Sequence, residues 1–306
     1  MYVRPFVRLI HHWIPRFPFS RQCTDIIVFL ARGFKVAIKS PKSTDLALFE
    51  HNLRSYDHIL LLPPTSKAYG AQLSAQLLIE FINKEGNILL ALSAGTPTPT
   101  AITSLLLELG ITLPPGRSSV VVDHFNYDKS SGEEHDVLLV ERPGKLKTGV
   151  KNFFSGTGKV AIPRAVPQIL DNASPLLSPI LKAPNTAYPY DTKEEKETID
   201  DLFASGAQIN LASAFQARNS ARFTVLGSAE ALQDDFFKKD NVNRDFSKQL
   251  TKWAFKEVGV LKVQELYHHL AKETQVSGAN SSAINPKIYR IKEEVVSFSS
   301  DCMREV

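Results

Sequence analysis

The sequence predicts an α/β protein with a doubly wound, mostly parallel β-sheet, followed by a second and smaller α/β domain. Short apolar runs at 58–62 and 87–92 are typical of strands buried on both faces of a sheet. Segments with helical spacing of apolar residues, at 73–82 and 101–109, alternate with these runs. Such alternation indicates parallel strands joined by crossover helices.

Composition shifts along the chain predict where the domains begin and end. Four prolines and then a run of charged residues interrupt the regular pattern after residue 170, which indicates a connection. Beyond it, two strands and one amphipathic helix make up the smaller domain. The predicted parts are an atypical leader (1–30), an N-terminal doubly wound domain (31–170), a Pro-rich and charged connection (171–206), a second α/β domain (207–275), and a linker with the start of a truncated β region (276–306).

Charge and composition exclude several function classes. The 306 residues carry a net charge of +4, and the four arginines of acid-free residues 1–22 account for all of it. No basic stripe with interleaved aromatic residues remains, so we expect no nucleic-acid partner. No run of about 18 apolar residues is present, so no membrane span is predicted. Two cysteines, Cys23 and Cys302, are too few for a disulfide scaffold or a zinc finger.

Ser93 is the sharpest candidate for a nucleophile. It follows an apolar strand in Ala91-Leu92-Ser93-Ala94-Gly95, which resembles the G-x-S-x-G turn of α/β hydrolases with Ala91 in place of the first glycine. A triad would need an acid such as Asp123 or Asp136 and a base such as His268. A soluble hydrolase using Ser93 is therefore the alternative function, and an ordinary serine at a strand end is the simpler interpretation.

Two other catalytic patterns fail. Glutamine amidotransferases share the doubly wound topology, but their chemistry needs a cysteine after a central strand, and no cysteine lies between Cys23 and Cys302. The segment 156–159, Gly-Thr-Gly-Lys, resembles a phosphate-binding loop but has Phe153 and Val160 where that motif requires glycine and Ser or Thr. We predict no catalytic residue, no cofactor and no metal ligand.

A polar loop is the remaining candidate for a binding site. Asp123, His124 and Asp128 follow the strand at 120–122, and ligands of open α/β sheets bind at the carboxyl ends of strands. A metal or acid–base site is one interpretation. A loop capped by its own Asp and Asn side chains is the other.

Two sequons could accept N-linked glycans. Asn172-Ala173-Ser174 and Asn280-Ser281-Ser282 both fit Asn-X-Ser/Thr. Pro175 after the first sequon makes Asn172 the poorer acceptor. Use of either would require a secretory location.

Six segments, in the same order along the chain, carry a resemblance to a known family. They are 32–41, RGFKVAIKSP; 56–64, YDHILLLPP; 81–90, FINKEGNILL; 122–128, VDHFNYD; 216–222, QARNSAR; and 253–261, WAFKEVGVL. Together they resemble the lumenal domains of the non-catalytic oligosaccharyltransferase subunits, the family of the yeast wheat-germ-agglutinin-binding protein and the animal 48-kDa subunit.

The resemblance implies a scaffold subunit of a complex in the endoplasmic reticulum membrane, on its lumenal face. That complex transfers a dolichol-diphosphate-linked glycan to Asn of Asn-X-Ser/Thr in protein N-glycosylation, and catalysis lies in another subunit. Implied partners are the other subunits and, as a further option, the lipid-linked oligosaccharide. Compared with the family, we expect this chain to be truncated at both ends, without the signal peptide, the first strand and the C-terminal membrane helix.

Overall fold

The structure is a computed structural model that describes most of the chain. The described residues are 6–10, 32–40, 43, 46–64, 69–115, 119–144, 152–191, 203–239, 241–270 and 289–297. Both cysteines and the sequon residue Asn280 lie outside these ranges.

The described residues form four α-helices and seventeen strands. The helices are α1 (Ala75–Asn83), α2 (Thr100–Glu108), α3 (Asp234–Lys239) and α4 (Asn241–Ala254). The strands are β1 (Phe6–Ile10), β2 (Lys35–Lys39), β3 (Phe49–Glu50), β4 (Leu53–Arg54), β5 (His58–Leu61), β6 (Asn87–Ala91), β7 (Ile111–Thr112), β8 (Ser119–Val122), β9 (Val137–Glu141), β10 (Lys159–Pro163), β11 (Ile169–Leu170), β12 (Leu177–Lys182), β13 (Tyr188–Asp191), β14 (Asn210–Gln216), β15 (Arg222–Leu226), β16 (Leu261–Leu270) and β17 (Tyr289–Ser297).

Seven of these strands form the central sheet, in the spatial order β12-β14-β15-β6-β5-β1-β2. Neighbours from β15 to β2 pair in parallel, whereas β14 is antiparallel to both β12 and β15. The protein is therefore a mixed α/β fold with a mostly parallel sheet, and the predicted strands at 58–62 and 87–92 are confirmed at its centre.

Apolar side chains cover both faces of the central strands. Ile59 and Ile88 point to one face, where they pack in a cluster with residues of α1 and α2 such as Phe81. Leu60 and Leu89, one residue further along, belong to a cluster on the other face that includes α4. Because alternate residues of a strand point in opposite directions, burial on both faces explains why these runs are apolar without interruption.

Local signals set the ends of the first helix. The hydroxyl of Ser74 accepts a hydrogen bond of 3.3 Å from the backbone N–H of Leu77, which is an N-cap. At the other end, the N–H of Gly86 donates to the carbonyl oxygen of Phe81 at 2.8 Å, which closes a Schellman-type turn. This confirms the helix that the apolar spacing predicted.

Part of the predicted connection at 171–206 has regular structure, because β12 and β13 lie within it. Its prolines are tolerated because β12 is an edge strand of the central sheet, and its pairing with β14 shifts register next to Pro179. In β13, Pro189 lies in a two-stranded sheet with β8. The prolines therefore mark edge strands, not an absence of strands.

The pairing of the strands also differs from the predicted division into two separate α/β domains. β14 and β15, which come from the predicted second domain, complete the same sheet as β5 and β6 of the predicted first domain. Conversely, β8 belongs to the predicted doubly wound domain but pairs antiparallel with β13 in a separate sheet. The reason is that an apolar run reports burial and does not specify which strand lies beside it.

Residues 6–10, within the predicted leader, form β1 between β5 and β2, with parallel pairing on both sides. This placement corrects the expectation that the first strand is missing. Without β1, β2 would have no hydrogen-bonded neighbour in the sheet.

Candidate functional site

The first residues of three neighbouring strands form a chain of polar contacts across the amino-terminal edge of the sheet. His58, Asn87 and Arg222 open β5, β6 and β15, and parallel pairing in register brings them side by side. The side-chain nitrogen of Asn87 lies 3.1 Å from Nδ1 of His58, and Oδ1 of Asn87 accepts the backbone N–H of Arg222 at 3.0 Å. All three residues are buried.

These contacts fix the protonation of His58. Because Oδ1 of Asn87 is used as an acceptor, its amide nitrogen donates to Nδ1 of His58, so the imidazole proton lies on Nε2. Burial lowers the pKa of His58 to about 4, and the nearby carboxylate of Asp57 only partly opposes this effect. At neutral pH, His58 is therefore an uncharged donor through Nε2.

Arg222 anchors the end of α4. Its guanidinium donates to the carbonyl oxygens of Trp253 at 2.6 Å and Val258 at 2.7 Å, and also to that of Gly259. Its carbon Cζ lies 4.7 Å from the centroid of the Trp253 ring. Burial lowers the pKa of Arg222 to about 10, so it stays charged at neutral pH and complements the negative end of the helix dipole.

A cleft of about 340 Å³ opens in front of this polar chain. We call it the amino-edge cleft, and its polar lining consists of Arg54, Asp57, His58, Glu85, Asn87, Lys256 and Glu257. Phe34 and Phe255 contribute its apolar wall and pack against the ring of His58 at centroid distances of 5.8 Å and 5.0 Å.

Sequence reasoning missed this cluster, although a signal was present. Each of His58, Asn87 and Arg222 is a polar residue at the start of a mostly apolar strand. One such residue is unremarkable in a strand. Only the pairing of β5, β6 and β15 shows that the three meet.

In the predicted polar loop, the carboxylate of Asp123 hydrogen-bonds to the loop backbone and to a neighbouring segment. Asp123 is fully buried, and its carboxylate accepts the backbone N–H groups of Phe125 at 2.8 Å and Asn126 at 3.2 Å and the hydroxyl of Thr186 at 2.7 Å. Burial raises the pKa of Asp123, but these hydrogen bonds outweigh burial and leave the pKa below its ordinary value. The carboxylate is thus an internal brace between the loop and the segment before β13.

The other two predicted loop residues point to different partners. Nε2 of His124 lies 2.8 Å from the hydroxyl of Tyr188, and its Nδ1 contacts Nδ1 of His135. Asp128 accepts the N–H of Ser130 at 2.9 Å and caps its own short 3₁₀ turn. Within the described part of the chain, no group of three metal-ligating side chains occurs.

Ser93 lies at the opposite, carboxyl edge of the sheet. Its hydroxyl accepts the N–H of Gly95 at 3.2 Å. The cavity beside it measures about 10 Å³, room for one water molecule at most, and none of its described lining residues is a histidine or carboxylate. Of the two candidate acids, Asp136 lies near Arg164, and the carboxylate of Asp123 accepts hydrogen bonds from its own loop and from Thr186, so neither is shown paired with a base for Ser93.

The described sequon residue, Asn172, is exposed in a turn before β12. The turn is held by Asp171, whose carboxylate accepts the N–H of Ala173 at 2.9 Å. Its glycosylation stays a prediction.

Among the described residues, no helix is long and apolar enough to cross a membrane.

Comparison with known proteins adds a second line of evidence. The family model described as "OST48, N-terminal domain" matches residues 28–257. The chain is 31% identical over 277 residues to the dolichyl-diphosphooligosaccharide–protein glycosyltransferase subunit wbp1 of Schizosaccharomyces pombe, covering 88% of this chain and 60% of that protein. It is 29% identical over 256 residues to the 48 kDa subunit of the same enzyme from Caenorhabditis elegans, covering 79% and 56%.

The chain thus spans somewhat more than half the length of these relatives. Among solved structures, the mmIFT52 N-terminal domain superposes with a TM-score of 0.56 at 15% identity, covering 81% of this chain and 96% of that one. At this identity the likeness concerns the fold alone.

Proposed function

The chain belongs to the OST48 N-terminal domain family, and we propose that it is an accessory subunit of the oligosaccharyltransferase complex. The carrying observation is the family match, which spans residues 28–257 and so includes the predicted connection at 171–206. The named relatives are subunits of dolichyl-diphosphooligosaccharide–protein glycosyltransferase. The proposed role is to support transfer of a dolichol-diphosphate-linked glycan to Asn of Asn-X-Ser/Thr.

The proposed subunit acts as a scaffold and has no catalytic residue of its own. Two features support this role. The buried charges of Asp123 and Arg222 brace neighbouring elements of the fold. Ser93 lies beside a cavity too small for a substrate.

Its proposed partners are the other subunits of the complex, with the lipid-linked oligosaccharide as a further candidate. Its proposed location is the lumenal face of the endoplasmic reticulum membrane. The glutamine-amidotransferase-like topology expected from the sequence is also a proposal. It is supported by the parallel strands β2, β1, β5, β6 and β15, which lie side by side in the order 2-1-3-4-5 when numbered along the chain.

The test is purification of the epitope-tagged natural protein from detergent-solubilised microsomes. We expect the other oligosaccharyltransferase subunits to co-purify, and depletion of the protein to lower sequon occupancy on secreted glycoproteins. A Ser93→Ala variant should restore occupancy fully in depleted cells, because the scaffold role does not use its hydroxyl. Recovery of the protein without any of these subunits, with sequon occupancy unchanged on depletion, would refute the proposal.

A further inference from the structure

Two helices on opposite faces of the sheet end at the amino-edge cleft, each in a strained residue. Glu85 follows α1 with φ of 66°, and Lys256 follows α4 with φ of 56°. This left-handed conformation favours glycine, and a charged residue there costs free energy. Both residues lie in the turn that ends their helix, closed by Gly86 N–H to Phe81 O and by Glu257 N–H to Lys252 O, so the informative feature is a charged side chain in place of the usual glycine.

The side chains of Glu85 and Lys256 both line the amino-edge cleft. Burial lowers the pKa of Lys256, and the carboxylate of Glu85 opposes this effect, so the two charges attract one another. Among the described residues, however, neither forms an ion pair or a side-chain hydrogen bond. A strong donor and a strong acceptor are therefore both available to a ligand in the cleft.

His58 supplies a third group. Its Nδ1 is held by Asn87, which leaves the Nε2–H as a donor at the cleft. The residue as a whole is 5% exposed, so most of the ring is buried behind this donor. A ligand oxygen in the cleft can therefore accept a hydrogen bond from Nε2.

The lining argues against two other kinds of ligand, anions and lipid chains. Glu257 is paired with Arg32, and Asp57 and Glu85 balance Arg54 and Lys256, so a phosphate or another anion gains no net attraction. The apolar wall residues Phe34 and Phe255 are 5% and 2% exposed, too little to hold a lipid chain.

An added peptide strand is excluded by the sheet itself. β5 pairs with β1 and β6, and β6 pairs with β5 and β15. Neither strand beside the cleft has a free edge for strand addition.

We infer that the amino-edge cleft binds an uncharged polyhydroxyl ligand, a sugar residue of a free or attached glycan. A hydroxyl group both accepts and donates, so it can bridge Lys256 and Glu85 and also accept from Nε2 of His58. The cleft volume is at the lower end of the range for small-molecule sites, which fits one or two sugar rings. The inference rests in part on the proposed function, because it assigns a site to the glycan named there as a candidate partner. The sugar titration can fail while the other subunits still co-purify, so the two proposals are tested separately.

The experiment is an NMR titration of the complete 306-residue chain labelled at histidine. Glucose, mannose and N-acetylglucosamine are tested first, then an N-linked glycopeptide and the same peptide without its glycan. We expect a saturable shift of the His58 ring signals with at least one sugar. The glycopeptide arm separates a free sugar from an attached glycan as the source.

Glycine substitutions make the test independent of folding defects. Glu85→Gly and Lys256→Gly remove the ligand groups and relieve the strained backbone, so both should unfold at higher urea concentration than the natural protein. We expect each to raise the Kd for the sugar about tenfold. Lys182→Met, on the exposed side of β12, is the matched control and should leave the Kd unchanged.

Three results would overturn the inference. These are the absence of a saturable shift with every sugar and with the glycopeptide, equal binding of the peptide without its glycan, and an unchanged Kd in both glycine variants.

Discussion

The guanidinium of Arg222 donates a 2.6 Å hydrogen bond to the carbonyl oxygen of Trp253 and lies 4.7 Å from the centroid of the same indole. One residue opens a central strand and the other is in the last turn of α4, so this contact joins the sheet to the helix that covers it. The two residues come from the segments 216–222 and 253–261, both of which carry the family resemblance.

Replacing Arg222 should destabilise the protein strongly. Arg222→Leu leaves the carbonyl oxygens of Trp253, Val258 and Gly259 without their donor, and we expect a loss of about 3 kcal/mol in the free energy of unfolding. Urea denaturation measures this loss. Arg218→Leu, on the exposed turn before β15, is the control and should change stability by less than about 0.5 kcal/mol. Equal effects of the two substitutions would contradict the anchoring role.

Gly86 is required by a close contact. A Cβ atom at this position would lie 2.2 Å from the ring of Phe81, which is fully buried and cannot easily move. We expect Gly86→Ala to cost about 1–3 kcal/mol in thermal or urea unfolding. Gly144→Ala is the matched control, because a Cβ there meets nothing within 4 Å. A Gly86→Ala protein as stable as the control would show that Phe81 can repack.

His58 should make stability depend on pH between about 4 and 6.5. Below its ordinary pKa of 6.5 the unfolded chain binds a proton at His58, whereas the folded protein binds it only near pH 4. The contribution of neutral His58 to the free energy of unfolding is therefore complete above pH 6.5, and it is lost as the pH falls through this window. This contribution is about 3 kcal/mol.

His58→Gln should remove this part of the pH dependence, measured as the difference between the urea curves of variant and natural protein across the window. The exposed His51 supplies the control, His51→Gln, which should retain the full slope. A His58→Gln protein with an unchanged slope would show that His58 titrates normally.

Asp123 should make a separate contribution at lower pH. Its folded pKa lies below the ordinary value, so its stabilisation is present above the unfolded pKa and lost as the pH falls through the folded pKa. Asp123→Asn should lower stability at neutral pH by about 2 kcal/mol and flatten the acid limb of the stability curve.

Thr186→Val tests the cause of that pKa shift. Without the hydroxyl donor, the pKa of Asp123 should rise, and the acid-induced loss of stability should begin at a higher pH. Thr112→Val, at an exposed position of β7, is the matched control and should leave the acid limb in place. If Thr186→Val leaves the acid limb in place, the hydroxyl is not a significant donor.

The sequence by itself determined most of the secondary structure at the centre of the fold. The apolar runs at 58–62 and 87–92 and the helical spacing at 73–82 depend on burial of the residues themselves, which composition and periodicity record. The family was also readable, because six ordered segments carry the resemblance and the match over 28–257 confirms it.

Only the tertiary structure decided which strands are neighbours. Backbone hydrogen-bonding groups are the same in every strand. The apolar pattern of β15 therefore does not indicate that this strand lies beside β6, and the pattern of β8 does not indicate that it pairs with β13. The amino-edge cleft depends on those choices. Glu85, His58 and Lys256 are far apart in the chain, and they meet because parallel pairing aligns the strand starts while α1 and α4 end at the same edge.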